Sequence, residues 1–473
     1  MHQQSDQMSV PDITCQPSSE LRLSELIVAL STALDMTEGQ PPEHCMRCAW
    51  MGMKLADALD FSPQQRHDLF YTLLLKDAGC SSNAARICEL YLTNDLAFKQ
   101  SYKIVDGSLS SVLNFVLKNT GVKRGFMEKL STTLDIIRNG DMYAQELIET
   151  RCTRGAEIVR ELRFSEAVAN AVYALDEHYD GGGRPDGLSG DAIPLYARIA
   201  LMTQVIDVFR TESGIEAALQ EIKARRGTWF DPHLVDTFIE CASAPHFWQH
   251  LDAPQLKEQV LSMAPATATI WVDDDYLDAI AAAFGRVVDA KSPFTSGHSE
   301  RVAVYASLIA DALGVSEQDK KWLKRGALLH DIGKLGVSND ILDKPGKLDD
   351  DEWEQVKQHA ALSKTILSKI QQFHDLAQFA SAHHEKLDGT GYPDGIQGEH
   401  ISLLTRIITT ADIFDAITAE RPYRGPIPVD KALSIMREEV DTAIDQRCLD
   451  ALIAGLDTLP DHFMVHDATS ITS

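Results

Sequence analysis

Residues 328–334 read LLHDIGK, and residues 74–80 read LLKDAGC. Both run Leu-Leu, with Asp in fourth place and Gly in sixth; only the first carries His in third place and Lys in seventh. Register shows that this is one unit written twice. His298 lies 32 residues before His330, and His44 lies 32 residues before Lys76. At that offset of 254, EHCMRCAWMGMKLADAL falls on GHSERVAVYASLIADAL without a gap. A second block, DGGGRPDGLSGDAIPLYARI (180–199), falls on DGTGYPDGIQGEHISLLTRI (388–407) at an offset of 208. The difference, 254 − 208 = 46, is extra sequence within residues 81–150. Two gapless blocks in the same order indicate an internal duplication with an insertion in the first copy.

The second copy reads as helices. DYLDAIAAAFGRVVDA, ERVAVYASLIADALG, EQDKKWLKRGALLHDIGK and DEWEQVKQHAALSKTILSKI place apolar residues at three- and four-residue steps. Asp349 and Glu352 form a capping-box pattern at the start of the last of these. No stretch alternates as a strand should. The fold class expected is all-α, with two tandem helical domains. Their expected bounds are 21–245, with an insertion at 81–150, and 273–460. A linker at 246–272 and loose tails at 1–20 and 461–473 complete the division.

Composition narrows the function. The chain has 473 residues, 44% hydrophobic and 7% aromatic, as a globular protein has. No run approaches the ~18 apolar residues of a membrane span, and the first residues lack a signal pattern, so a cytoplasmic location and no membrane partner are expected. The net charge, 44 − 70 = −26, disfavours polymeric nucleic acid. A small anion held by a local cluster of cations stays open. The eight cysteines are scattered; the lone C-x-x-C at 45–48 has no second pair, so free thiols are expected.

His298, His330, Asp331, His359, His383, His384 and Asp412 are candidate metal ligands. Imidazoles with carboxylates suit first-row metals rather than calcium or magnesium. Seven side chains exceed what one tetrahedral ion takes and match two ions sharing a carboxylate, an arrangement suited to in-line displacement at phosphorus. If 330–334 is helical, Lys334 lies on the same face as His330, beside the metals. Singly, each residue could be an ordinary surface or capping group. In order, and followed by the turn DGTGYPDG, they form a set.

GHSERV, LLHDIGKLGV, HHEKLDGTGYPDG and ADIFDAITAERPYR together resemble the HD-GYP family of bacterial signalling phosphodiesterases, a branch of the HD metal-dependent phosphohydrolases. The resemblance spans about 273–460 and implies an all-helical metalloenzyme that hydrolyses cyclic di-GMP to pGpG, with the onward step to GMP, often seen in the family, left open. It implies two divalent ions, iron or manganese. One is held by His298, His330, Asp331 and Asp412, the other by Asp331, His359, His383 and His384. Asp331 and Lys334 are then the catalytic pair, with Lys334 on the scissile phosphate. Gly391, Tyr392 and Pro393 form the family's loop beside the site and are expected to contact substrate, and the loop is also a surface for a signalling partner. Arg421 and Arg424 are expected to bind phosphate or a base. Family members with three metals carry Glu where this chain has Phe294, so two metals are expected. The hybrid 3'3'-cyclic GMP-AMP is the alternative substrate, and a non-catalytic nucleotide sensor the alternative function.

In the first copy only His44 and Asp77 of the seven ligands survive; Lys76, Arg151, Leu175, Asp176 and Gln204 stand at the other positions. A degenerate domain that holds no metal pair is expected. It would pair with the second copy, with a homodimer left open and a vacated pocket as the weaker alternative. Asp207 and Asp415, Arg198 and Arg406, and Ile193 and Ile401 are kept in both copies, which points to roles in packing and helix geometry.

Overall fold

In a computed structural model, residues 21–103, 109–121, 125–265 and 271–459 are described; the expected tails lie outside them. Every regular element among these residues is helical, and β-structure is confined to isolated bridges. The fold is all-α.

The two halves use the same elements in the same order. Leu23–Thr37, His44–Ala58 and Pro63–Leu75 match Asp274–Asp289, His298–Ala312 and Glu317–Leu329. After the insertion, Glu166–Tyr173, Leu195–Ser213, Ile215–Ala224 and Pro232–Ala242 match His374–Ser381, Leu403–Thr418, Val429–Glu438 and Gln446–Leu456. Local causes repeat as well. Asp35 accepts the amide of Cys45 (2.8 Å), as Asp289 accepts that of Ser299 (3.0 Å). Each thereby satisfies an unpaired donor in the first turn of a helix. Ser62 and Ser316 cap Pro63–Leu75 and Glu317–Leu329. Asp349 and Glu352 do form a capping box at the start of Asp350–Leu367.

Glycine explains part of the opening motif. At Gly333 a Cβ would lie 2.0 Å from the carbonyl oxygen of His359; at Gly79 it would lie 2.0 Å from that of Arg151. Only glycine lets this turn press against the backbone of the next long helix. Ser363 completes the contact, donating to His330 O (2.7 Å) and accepting from Gly333 N (2.9 Å).

One hydrophobic cluster runs through both halves, from Leu21 to Leu456. The first helix of each half serves the other. Leu23–Thr37 packs on the 3-10 turn Ile332–Gly336 and on Asp350–Leu367. Asp274–Asp289 packs on the turn Cys80–Asn83 and on the 36-residue helix Phe126–Glu161. The contact is thus exchanged by an approximate twofold. Lys369 donates to Thr32 (3.1 Å), and at the equivalent positions Arg286 pairs with Glu161 (2.8 Å). The stretch 246–272, expected to be a linker, is built into the first half. It contains Phe247–Asp252 and Leu256–Met263, stacks Phe247 edge-on to Trp50 (4.9 Å), and buries Leu256 and Val260.

The insertion supplies Ala84–Tyr91, Asp95–Tyr102, Leu109–Asn119 and the first turns of Phe126–Glu161. It meets the second half through Asp95. That buried carboxylate accepts from Ser338 Oγ (2.7 Å), Asn339 N (2.8 Å) and Lys291 Nζ (3.3 Å). No helix among the described residues is long and apolar enough to cross a membrane.

Candidate metal centre

Five helices bring the seven candidate ligands together. His330 sits at the C-cap of Glu317–Leu329, and His383 and His384 follow the end of His374–Ser381. Helix C-termini carry partial negative charge and favour cations. His298 opens its own helix, His359 lies mid-helix in Asp350–Leu367, and Asp412 in Leu403–Thr418. The stretch 330–334 is not α-helical as expected: the α-helix stops at Leu329 and a 3-10 turn begins at Ile332. The tighter turn brings Lys334 Nζ to Asp331 Oδ2 (2.5 Å), an i,i+3 contact rather than a shared face with His330.

Asp331 stands at the centre. Its Oδ2 faces Nε2 of His330 (3.2 Å) and His298 (3.4 Å); its Oδ1 faces Nε2 of His359 (3.3 Å) and His383 (3.7 Å). Asp412 Oδ1 lies 3.4 Å from His298 Nε2 and 3.9 Å from that of His330. His298, His330 and Asp412 form one group with ligand atoms within 4.8 Å of one another, and His359, His383 and His384 another.

The rings are aimed by their other nitrogens. Nδ1 of His330, His359 and His383 lies 2.7, 2.5 and 2.7 Å from the carbonyls of Ala327, Val356 and Ala380. A carbonyl only accepts, so Nδ1 carries a proton and Nε2 is the nitrogen that points inward, toward a ligand. His298 Nδ1 instead meets Asp415 Oδ2 (2.7 Å), which also takes the guanidinium of Arg301. Burial pushes His359 down to about 4 and His383 to about 3, so both are neutral at physiological pH. Burial opposes ionisation of Asp331, yet His330 and Lys334 hold it well below the usual carboxylate range. Among the described residues, buried His298 Nε2, His330 Nε2 and Asp331 Oδ1 have no hydrogen-bond partner. Such orphaned groups are costly unless something binds them. Divalent cations fit this donor set: the neutral rings of His359 and His383, ionised carboxylates, and buried ring nitrogens that point inward.

A cavity of about 430 Å³ opens onto the cluster. His298, Asp331, Lys334, His384, Asp412, Phe294, Arg421 and Arg424 line it. Arg424 spends much of its guanidinium on its own loop, donating to Ala416 O (2.6 Å) and Ile417 O (2.9 Å). Gly391, Tyr392 and Pro393 are absent from the described lining. Tyr392 stacks on the outer face of His384 (4.7 Å between ring centres) and buttresses it. Phe294, on the cavity wall, has no side-chain atom that could serve as a ligand.

The sequence reading missed Asp415 and Ser363. Asp415 had been grouped with packing residues, because Asp207 matches it in the half without a ligand set. Yet His44 is also kept there, and Asp207 binds it (2.8 Å). The retained pair was the signal. Arg406 does hold structure, through Asp445 (2.8 Å) and Ile401 O (2.9 Å).

In the first half the matching positions are filled by the chain itself. Lys76 pairs with Asp77, and Arg151 with Asp176. From the insertion, Lys103 (2.7 Å) and Lys99 (3.7 Å) reach Glu38. Burial opposes it, but these two lysines hold Glu38 down at about 2. Lys76, Asp77 and His44 are fully enclosed, so the vacated-pocket alternative finds that space taken by cationic side chains.

A family profile described as an HD domain matches residues 133–234 and 283–448. The 3'3'-cGAMP-specific phosphodiesterase 3 of Vibrio cholerae serotype O1 is 61% identical over 441 residues, 93% of this chain and 96% of that protein. The cyclic di-GMP phosphodiesterase response regulator RpfG of Xanthomonas campestris pv. campestris is 40% identical over 172 residues, 36% of this chain and 46% of that protein. Among solved structures, a cyclic GMP-AMP specific phosphodiesterase of V. cholerae (V-cGAP3) superposes with a TM-score of 0.64 at 56% identity, covering 93% of this chain and 99% of that one.

Proposed function

The chain belongs to the HD domain family, in its HD-GYP branch, and on that premise we propose that it is a metal-dependent phosphodiesterase that opens 3'3'-cyclic GMP-AMP. The observation that carries the reading is Asp331, whose two oxygens each face a separate imidazole cluster. Cyclic di-GMP was the first expectation. The relative matching along nearly the whole chain is named for 3'3'-cGAMP, whereas RpfG covers 36% of it, so the order is reversed.

Two divalent ions would be held by His298, His330, Asp331 and Asp412, and by Asp331, His359, His383 and His384. When bound, they would supply an activated water and Lewis acidity at the scissile phosphate. The chain does the rest. Lys334, on the cavity wall, neutralises charge that builds on the phosphoryl oxygens. Asp415 holds His298 in its ligating tautomer, and Tyr392 keeps His384 from turning away. Arg424 shapes the loop that presents Arg421 to the cavity. We assign residues 21–245 to an inactive copy in which Lys76 and Arg151 stand in for metal charge. Its role is to complete the second half by direct packing.

Replacing His330 and Asp331 together by Ala tests the assignment. Hydrolysis of 3'3'-cGAMP should vanish while the helical circular dichroism persists. Turnover by a folded double variant would overturn the reading. A panel of 3'3'-cGAMP, cyclic di-GMP and mononucleotides ranks the substrates, and product chromatography shows whether cleavage continues past the linear dinucleotide.

A further inference from the structure

Four carboxylates line the cavity: Asp289, Asp331, Asp343 and Asp412. Three are committed. Asp289 receives the amide and hydroxyl of Ser299, and Asp331 and Asp412 lie within the histidine cluster. Asp343 has another setting. It follows the short helix Asn339–Leu342, and each of its oxygens accepts one bond from the wall, Oδ1 from Ser292 Oγ (2.5 Å) and Oδ2 from Asn339 Nδ2 (2.7 Å). Two such bonds fix the plane of the carboxylate. Each oxygen retains a second acceptor direction, and the side chain is only partly buried.

A carboxylate on the wall of a cavity that admits a phosphodiester dianion repels its ligand unless it meets donors. Guanine offers N1–H and the 2-amino group side by side, a donor pair matching two carboxylate oxygens. Adenine puts an N1 lone pair beside its amino group, which turns one oxygen against an acceptor. We propose that Asp343 reads the guanine of the substrate through its Watson–Crick edge. The proposal rests on the phosphodiesterase reading above. Among the described residues lining the cavity, no second carboxylate is free for this task. The chain therefore reads one guanine and leaves the other base position undecided by charge. Substrates with at least one guanine are accepted, and cyclic di-AMP is rejected.

The test uses the full chain with D343A and D343N. A lost bidentate contact to a base costs roughly 5- to 150-fold in discrimination. KM for 3'3'-cGAMP should rise by that factor with kcat little changed, and competition by cyclic di-AMP should be unaltered. The analogue with inosine in place of guanosine, lacking the 2-amino group, should bind the parent protein more weakly but D343A no differently from 3'3'-cGAMP. Hydrolysis of bis(p-nitrophenyl) phosphate, which has no base, should stay constant and certify the metal site. Equal losses for 3'3'-cGAMP and cyclic di-AMP would mean that Asp343 serves the sugar or the wall, and would overturn the proposal. If the parent protein opens no cyclic dinucleotide, the phosphodiesterase reading fails. If it does and D343A keeps its base selectivity, this inference alone fails.

Discussion

Replacing Asp95 by Ala should destabilise the whole protein. Asp95 comes from the insertion, but its partners Lys291, Ser338 and Asn339 belong to the second half. Burial disfavours its ionised form, yet Lys291 and Lys99 hold its carboxyl below the usual range. Lys291 is 2% exposed, so the variant strands an ammonium where water cannot reach it. Breaking one partner of a buried pair costs about 3–5 kcal/mol. At about 2.1 cal/mol/K per residue, the unfolding entropy of a chain this long is about 1 kcal/mol/K, so Tm should fall by about 3–5 °C if both halves melt together. Calorimetry and urea titration read both quantities. The double variant D95A/K291M removes the stranded charge and should recover most of the loss. Lys291, Ser292 and Asp343 line the cavity, so D95A should also raise KM. A loss below about 1 kcal/mol, or a double variant no better than the single one, would refute the claim that this pair couples the halves.

Asp415→Asn should weaken metal binding about 10- to 100-fold, read by chelator competition, because the ring of His298 loses its anionic partner. Lys334→Ala should lower kcat while leaving metal content intact, as checked by elemental analysis beside steady-state kinetics. Elemental analysis of the parent protein should find two transition-metal ions per chain, and His44→Ala should leave that number unchanged. Asp35 gives a pH signature. Burial raises it from 3.8 to about 6, so the folded state holds an extra proton between those values and stability falls as pH rises through that window. Asp35→Asn should flatten this slope and add at most about 3 kcal/mol at pH 7 by urea titration, with no gain below about pH 4.

Helices were legible because their apolar spacing repeats, and the histidine–aspartate cluster because its residue types and order resemble a known set. Duplication was legible because two blocks align without gaps. The turn at 330–334 was not: Gly333 meets the backbone of a helix that begins at Asp350, and sequence spacing does not show that approach. Asp415 was misread because it is shared with a half that lacks the cluster, and an orienting carboxylate outlives the metal when its histidine does. Asp343 carried no motif. It became visible only when Ser292 and Asn339, four to fifty-one residues away, were seen holding it. The burial of Leu256 and Val260 in the shared core was not legible, because the stretch around them is polar and proline-bearing.

Each half's opening helix packs on its own half and also on the other half's central turn, so each half completes the other's core. A gene trimmed to residues 273–460 would encode every ligand yet omit the surface beneath them, and its product should expose Ile332, Leu335 and the inner side of Asp350–Leu367 to water. Two fragments divided near residue 268 and expressed together have what each lacks alone, and ought to reassemble into an active pair. The shape of the leading half thus matters to the ligand-bearing half whatever chemistry the leading half performs.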